Sequence, residues 1–470
     1  MPPLHPRSFS IASLAPRIAR KEISPVNLVK ACLERIERHD EKIRAFITVC
    51  AEQALEAARF AEAEIFAGRY RGPLHGIPIS LKDLVATQGI RTTAGSKILA
   101  NWIPEADATI VQRLKEAGAI ILGKANQHEF AYGPTGVNPH YGTAQNPWDP
   151  ARIPGGSSSG SAASVAHSLC LGSIGTDSGG SVRIPASLMG IVGLKPTYGL
   201  VSRQGIVPLA WSLDHAGPMT RTVADAALML QAIAGYDPQD PGSRNRAIPD
   251  YFQALNGEVK GMRIGLVKEY LDSPMEEGIK EAVGAFVEAL EGLGTKMEEV
   301  SLPQLRYASA VSFLIMASES MAYHRAYMKE RAADYGQDIR IRLGLGQFVL
   351  ATQYIQAQRV RRLLYRHIQD ALERFDLLLT PTLPITAPRI EDREIRMGGK
   401  SVDVRPVLTR FTRAFNVTGH PALSLPGALS PSGLPIGMQL IARPFGEEVL
   451  LRLGHAYEQA FPSPSPPAVA

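Results

Sequence analysis

Apolar residues recur at helical spacing at Val26, Val29, Leu33 and Ile36, behind Ser24, a residue able to cap a first turn, and Pro25 at the first helical position. The spacing predicts a helix there, and an alanine-rich one over Ala51–Phe66. In Gly76-Ile-Pro-Ile-Ser-Leu-Lys-Asp83 the period drops to two, which predicts a strand carrying Lys82 on one face. A helix over 107–117 and a buried strand over 119–122 follow. The second half repeats the alternation, with strand 262–267, helix 275–293, strand 296–302 and a helix-rich stretch over 305–375. Strands over 377–380, 422–425 and 438–441 close the chain. Strands and helices in alternation predict an α/β fold. No period of 20 to 50 residues points to a repeat array.

Residues 155–181 break the pattern, because Gly and Ser fill 16 of these 27 positions. A flexible linker would have that composition. Yet Ala162, Ala163, Val165, Ala166 and Leu169 are interleaved like the small apolar face of a helix, and Ile174 precedes a polar turn like the end of a strand. The segment is therefore read as structured. The final Pro-Ser-Pro-Ser-Pro-Pro run makes 462–470 an expected disordered tail.

Composition narrows the function classes. The chain has 470 residues, 45% of them hydrophobic and 20% charged, which excludes wholesale disorder, collagen and coiled coil. A net charge of +5 with no basic stripe gives no nucleic-acid footprint. Three cysteines without a CxxC pair argue against a disulfide framework and a thiolate zinc site, so a reducing cytoplasm is expected. No apolar leader and no run long enough for a membrane span are evident. The 11 histidines include no HExxH pairing, and 89–97 lacks the Gly-Lys-Ser/Thr of a phosphate loop, so neither a metal nor a cofactor is expected. Gly156-Ser-Ser-Ser-Gly160 formally fits the nucleophile elbow, but three prolines in 146–154 make its approach a loop where the elbow needs a strand.

Serine and lysine remain. A serine hydroxyl needs a base at neutral pH, and a lysine serves if burial keeps its amine neutral. Lys82 sits in an apolar strand and could be so buried, or it could cap the strand end and pair with a carboxylate. Gly175-Thr-Asp-Ser-Gly-Gly-Ser181 could be only a tight turn, or a nest of N–H groups suited to an oxyanion.

Gly155-Gly-Ser-Ser-Ser-Gly-Ser-Ala162 and Gly175-Thr-Asp-Ser-Gly-Gly-Ser-Val-Arg-Ile-Pro-Ala186, with Lys82-Asp83 upstream, resemble the amidase signature family of serine hydrolases. Spacing agrees as well as type: Lys82 lies 75 positions before Ser157, and Ser181 lies 24 after it. Further matching stretches are 123–132, 146–148, 193–198, 212–214 and 380–382, so the resemblance covers about residues 10 to 460. It implies one large mixed β-sheet flanked by helices on both faces, a single domain over 1–461 whose helix-rich part, about 305–375, lies on the substrate side. By the same resemblance Ser181 is the nucleophile and acyl carrier, Ser157, on a cis peptide, relays its proton, and Lys82 is the base. Backbone N–H groups of Ser178, Gly179, Gly180 and Ser181 would form the oxyanion hole. Ser158 would support the network, Asp177 and Arg183 would pair structurally, and Asp83 would orient its strand.

Two functions are then in view. The leading one is a free-standing amidase cleaving a carboxamide to acid and ammonia or amine, with an alkaline optimum set by Lys82. Its partners would be a small-molecule amide, no nucleic acid directly and no membrane, with a homodimer as the guessed assembly. The alternative is the glutamine-hydrolysing component of a tRNA-dependent amidotransferase, which the chain resembles at 193–202 and at 357–361, where Arg361 would meet the substrate carboxylate. Against it, Thr409 stands where that component has an Asp for the glutamine ammonium. Phe130, Tyr132, Trp211, Phe313 and Phe348 are candidate pocket walls, although ordinary core packing is the default for each.

Overall fold

Ser24 accepts a hydrogen bond from the Asn27 N–H at 3.1 Å, and Pro25 opens the helix Pro25–Ile43, whose Val29, Cys32 and Ile36 are buried. The alanine-rich helix runs Ala51–Phe66 and buries Ala54, Ala58 and Ala61. The computed structural model describes residues 10–462, 464 and 466. The expected tail falls mostly outside the described residues.

Strands in chain order are β1 (Phe46–Val49), β2 (Pro78–Lys82), β3 (Ile120–Ala125), β4 (Gly172–Asp177), β5 (Val192–Lys195), β6 (His215–Thr220), β7 (Arg263–Val267), β8 (Lys296–Val300), β9 (Leu377–Pro381), β10 (Glu394–Met397), β11 (Lys400–Asp403), β12 (Ala422–Leu429) and β13 (Pro435–Ile441). All but β10 and β11 form one 11-stranded sheet in the order β1-β3-β2-β4-β6-β5-β12-β13-β9-β7-β8. β10 and β11 make a separate hairpin. Parallel pairing joins β3, β2 and β4 towards one end and β9, β7 and β8 at the other, while the middle strands and the edge strand β1 pair antiparallel, so the sheet is mixed.

Both faces of the sheet are covered. Successive residues of β3 enter different cores: Ile121 joins the larger one, with Leu81 and Ile174, whereas Ile120 and Leu122 join a second with Val29 and Ala163. That two-sided burial is why β2, β3 and β4 are buried at every position. Among the described residues no helix is long and apolar enough to cross a membrane.

The Gly/Ser segment is ordered and buried throughout. It forms the helix Ser159–Ala166 and then β4. Small side chains are what allow this: a Cβ on Gly160 would lie 2.3 Å from the Ala45 carbonyl oxygen and the Asn126 nitrogen.

Candidate active site

β2 and β4 run parallel as neighbours, Leu81 facing Ile174, so their carboxyl ends place Lys82 beside Thr176. In open α/β sheets such ends are where ligands bind. Lys82 is fully buried, and its Nζ donates to Ser157 Oγ at 2.6 Å and to Thr176 Oγ1 at 2.8 Å. Its partners are thus hydroxyls. Burial pushes the amine down to about 7, against the upward pull of Asp177 and Asp214. Lys82 can therefore be neutral near physiological pH, which a strand-capping lysine paired to a carboxylate would not be.

Ser157 sits in the loop leading into the helix Ser159–Ala166, and the Gly156–Ser157 peptide is cis. Ser158 ties this loop to β4: its hydroxyl donates to the Thr176 carbonyl at 3.1 Å and accepts from the Thr176 N–H at 3.2 Å. The Ser158 N–H donates to the Ser181 carbonyl at 3.3 Å. Backbone thus fixes Ser181 against the Ser157–Ser158 segment. Ser181 is 8% exposed while Ser157 and Lys82 are wholly sealed, so of the three only Ser181 can be reached from solvent. Asp83, next along from Lys82, accepts from both the N–H and the hydroxyl of Thr93 and holds that loop over the strand end.

The loop between β4 and the helix Arg183–Met189 is shaped by one buried ion pair. Asp177 accepts from Arg183 Nε and Nη2, both at 2.9 Å, in a bidentate pairing with neither side chain exposed. Arg183 also reaches Gln439 on β13 at 2.6 Å and Asn416 at 2.6 Å, which binds central strands and a distant helix to the loop. Gly180 adopts φ +128°, and a Cβ there would lie 2.3 Å from Thr412 Oγ1, so no other residue fits. The Gly180 N–H is donated to Asp177 at 2.7 Å. Of the four N–H groups expected to face an oxyanion, it is therefore committed elsewhere, and those of Ser178, Gly179 and Ser181 remain. The Ser178 hydroxyl donates to Asp214 at 2.5 Å. Thr176, Asp214, Thr412, Asn416 and Gln439 are neighbours of this candidate site that periodicity alone does not single out.

Arg361 donates Nε to the Val417 carbonyl at 2.6 Å and Nη2 to the Ser212 carbonyl at 2.8 Å, anchoring its helix to backbone. The Thr409 hydroxyl donates back to the carbonyls of Arg405 and Pro406 at 3.2 and 3.3 Å. Phe130 and Tyr132 are buried, Phe130 stacking edge-on with His324 at 4.4 Å, as core packing requires. Trp211, Phe313 and Phe348 are exposed, Phe348 by 79%.

A model of the amidase family matches residues 27–451. The chain belongs to the amidase family. It is accordingly an enzyme acting on linear amide C–N bonds. It is 44% identical to the A component of the glutamyl-tRNA(Gln) amidotransferase of Geobacter metallireducens, covering 96% of this chain and 97% of that one. The structure of the corresponding amidotransferase component from Thermotoga maritima superposes with a TM-score of 0.83 at 35% identity, covering 99% of both chains. A chain from a vestigial protein complex that bears on the origins of an s-triazine catabolic enzyme superposes with a TM-score of 0.93 at 34% identity, covering 97% of this chain and 100% of that one. These amidase relatives favour the amidotransferase component over the free-standing amidase. They also correct the expectation of an enzyme with only a small-molecule partner and at most a second copy of itself, since the relatives are subunits of larger assemblies.

Proposed function

We propose that this chain is the amide-cleaving component of an amidotransferase-type assembly, with residues 1–461 as one cytoplasmic catalytic domain that releases ammonia from glutamine. The observation that carries the amide-cleaving part of the reading is the 2.6 Å contact of a buried Lys82 with Ser157, in a set of which solvent reaches only Ser181, and the likeness to amidotransferase A components supports the assembly. Ser181 Oγ attacks the amide carbon, and its proton passes through Ser157 to the neutral Lys82. N–H groups of Ser178, Gly179 and Ser181 hold the oxyanion. The C–N bond then breaks, and the Lys82 ammonium returns the proton through Ser157 to the departing nitrogen, leaving an ester on Ser181. Water, deprotonated by the same route, frees the acid and restores the serine, a serine–lysine version of triad logic. A protein partner is in keeping with the exposed apolar run of Ile341, Leu345, Phe348, Leu350 and Ile355 on the helix-rich side.

Ammonia release from glutamine, measured with the chain alone and with the other amidotransferase components, tests the assignment. Turnover should rise when the partners are added. Vigorous hydrolysis of simple amides by the chain alone, with glutamine inert in both settings, would return the chain to the free-standing class.

Lys82 also sets the pH response. Because its amine must be neutral to accept a proton, kcat/KM should climb through a pKa of about 7 and fall about tenfold per unit below it. Activity should then level off above about pH 8, on the alkaline side expected of a lysine base, with burial setting where the rise begins. A profile flat from pH 5 to pH 8 would exclude this base.

A further inference from the structure

Arg413 lies at the start of the helix Arg413–Thr418, directly after Thr412, whose hydroxyl donates to the Gly179 carbonyl at 2.6 Å. A Cβ built on Gly179 would meet only two side-chain atoms within 4 Å, Met316 Cε at 3.6 Å and Arg413 Cγ at 3.7 Å. The arginine stem therefore runs alongside an oxyanion-loop residue, with room between them. Arg413 Nε is sealed from solvent and has no hydrogen-bond partner among the described residues.

The surrounding charges do not satisfy it. Its charged neighbour Arg342 is already paired, donating to Asp338 at 3.2 Å and to the Tyr132 carbonyl at 3.1 Å, with its guanidinium 5.6 Å from the Tyr132 ring centre. Asp338 is shared with Arg405 at 2.5 Å, and Arg405 also holds Asp403. The charges that act on Arg413 come from Arg342 and Tyr132 with no carboxylate among them, and Arg413 makes no ion pair among the described residues. Burial and the charge of Arg342 push the Arg413 guanidinium down to about 10, so it stays cationic throughout the physiological range. A desolvated, unpaired cation with an open donor is unfavourable unless an anion arrives to meet it.

We propose that Arg413 is the anchor for a substrate carboxylate, so that the amide cleaved at Ser181 belongs to a short ω-amide of a dicarboxylic acid. This rests on the amide-hydrolysing reading above and makes it specific. An ammonium on the substrate is not required, because Thr409 turns its hydroxyl proton back into its own helix and offers no carboxylate. Arg361, the other candidate anchor, has two of its nitrogens committed to backbone carbonyls. Glutamine and glutaric acid monoamide then fall in one class, and pentanamide, of similar length but neutral, in another.

The test compares kcat/KM for these three amides in the wild-type chain and in Arg413→Met, Arg413→Lys and Arg361→Met. Removal of the guanidinium should lower the ratio of glutaric monoamide to pentanamide by about 10- to 150-fold, the range of a charged hydrogen bond. The lysine variant should recover part of that ratio, and a within-variant ratio is insensitive to how much protein folds. A second readout dispenses with turnover: glutarate should slow fluorophosphonate labelling of Ser181 in the wild type and lose that protection in Arg413→Met. An unchanged ratio with unchanged protection overturns the proposal, as does a ratio that falls only in Arg361→Met. Failure of the amide-hydrolysing reading looks different, since Ser181 would then neither label nor turn over any of the three amides.

Discussion

Replacing Ser181 or Lys82 with alanine is expected to lower kcat/KM for amide hydrolysis by about 10⁴- to 10⁶-fold, and replacing both should be scarcely worse than either alone. The physical reason is that in the proposed relay one proton links them. Without Lys82 the proton of Ser181 has no acceptor beyond the Ser157 hydroxyl, 2.6 Å from the missing amine, and without Ser181 the neutral amine has nothing to activate. Independent contributions would multiply, so a double variant slower by the product of the two single losses would separate the residues into unrelated roles. Lys82→Ala should also abolish the rise in activity through pH 7 in whatever rate remains, because the titrating group is gone. A fluorophosphonate should label Ser181 alone, being the exposed member of the set. Labelling at Ser158 would instead favour the nucleophile-elbow reading, for which the proline-rich approach leaves no strand.

Where a structural signal is local, the sequence carried it. Ser24 and Pro25 cap a helix because side-chain and backbone geometry within four residues decide that, and Ala51–Phe66 ends where the apolar spacing does. The Gly/Ser stretch was legible as structure because its apolar residues keep a helical period, although its burial between strands depends on neighbours such as Ala45 and Asn126. The order of the sheet was not legible. β12 and β13, from the last fifty residues, sit in the middle of the sheet between β5 and β9, a placement that no periodicity encodes. β6 offers neither alternation nor an apolar run to read, because His215, Gly217 and Pro218 interrupt a segment that is nonetheless buried at every position. The site divides in the same way. Lys82, Ser157 and Ser181 could be nominated from type and spacing, whereas Gln439, Asn416 and Arg413 join the nucleophile loop from more than 230 positions away. Their side chains are unexceptional in their own segments, and only the fold makes them neighbours.

The largest expected loss of stability is at one of those long-range joints. Arg183→Met should destabilise the protein by about 3 to 5 kcal/mol at neutral pH, because it strands the fully buried Asp177 carboxylate without its bidentate partner. Burial alone would push Asp177 up, but the Arg183 guanidinium and its hydrogen bonds hold it well below the usual carboxylate range. A carboxylate held that low contributes stability that is present above the unfolded value of about 3.9 and is lost as pH falls further. Once Arg183 is removed, burial dominates and the folded-state value rises above the unfolded one. The variant is then penalised most where Asp177 must be ionised, and the penalty should shrink on acidification as the folded state takes up its proton first. Urea unfolding midpoints of wild type and variant should therefore converge as pH is lowered from 7 towards 5. Adding Asp177→Asn to Arg183→Met should recover part of the loss at pH 7, since no charge remains to be stranded. A gap between the midpoints that is constant over that range would mean that Arg183 acts through its ties to Gln439 and Asn416, at 2.6 Å each, rather than through its charge. In either case activity should fall, because the loop that carries Ser181 has its Gly180 N–H fixed by the same carboxylate at 2.7 Å.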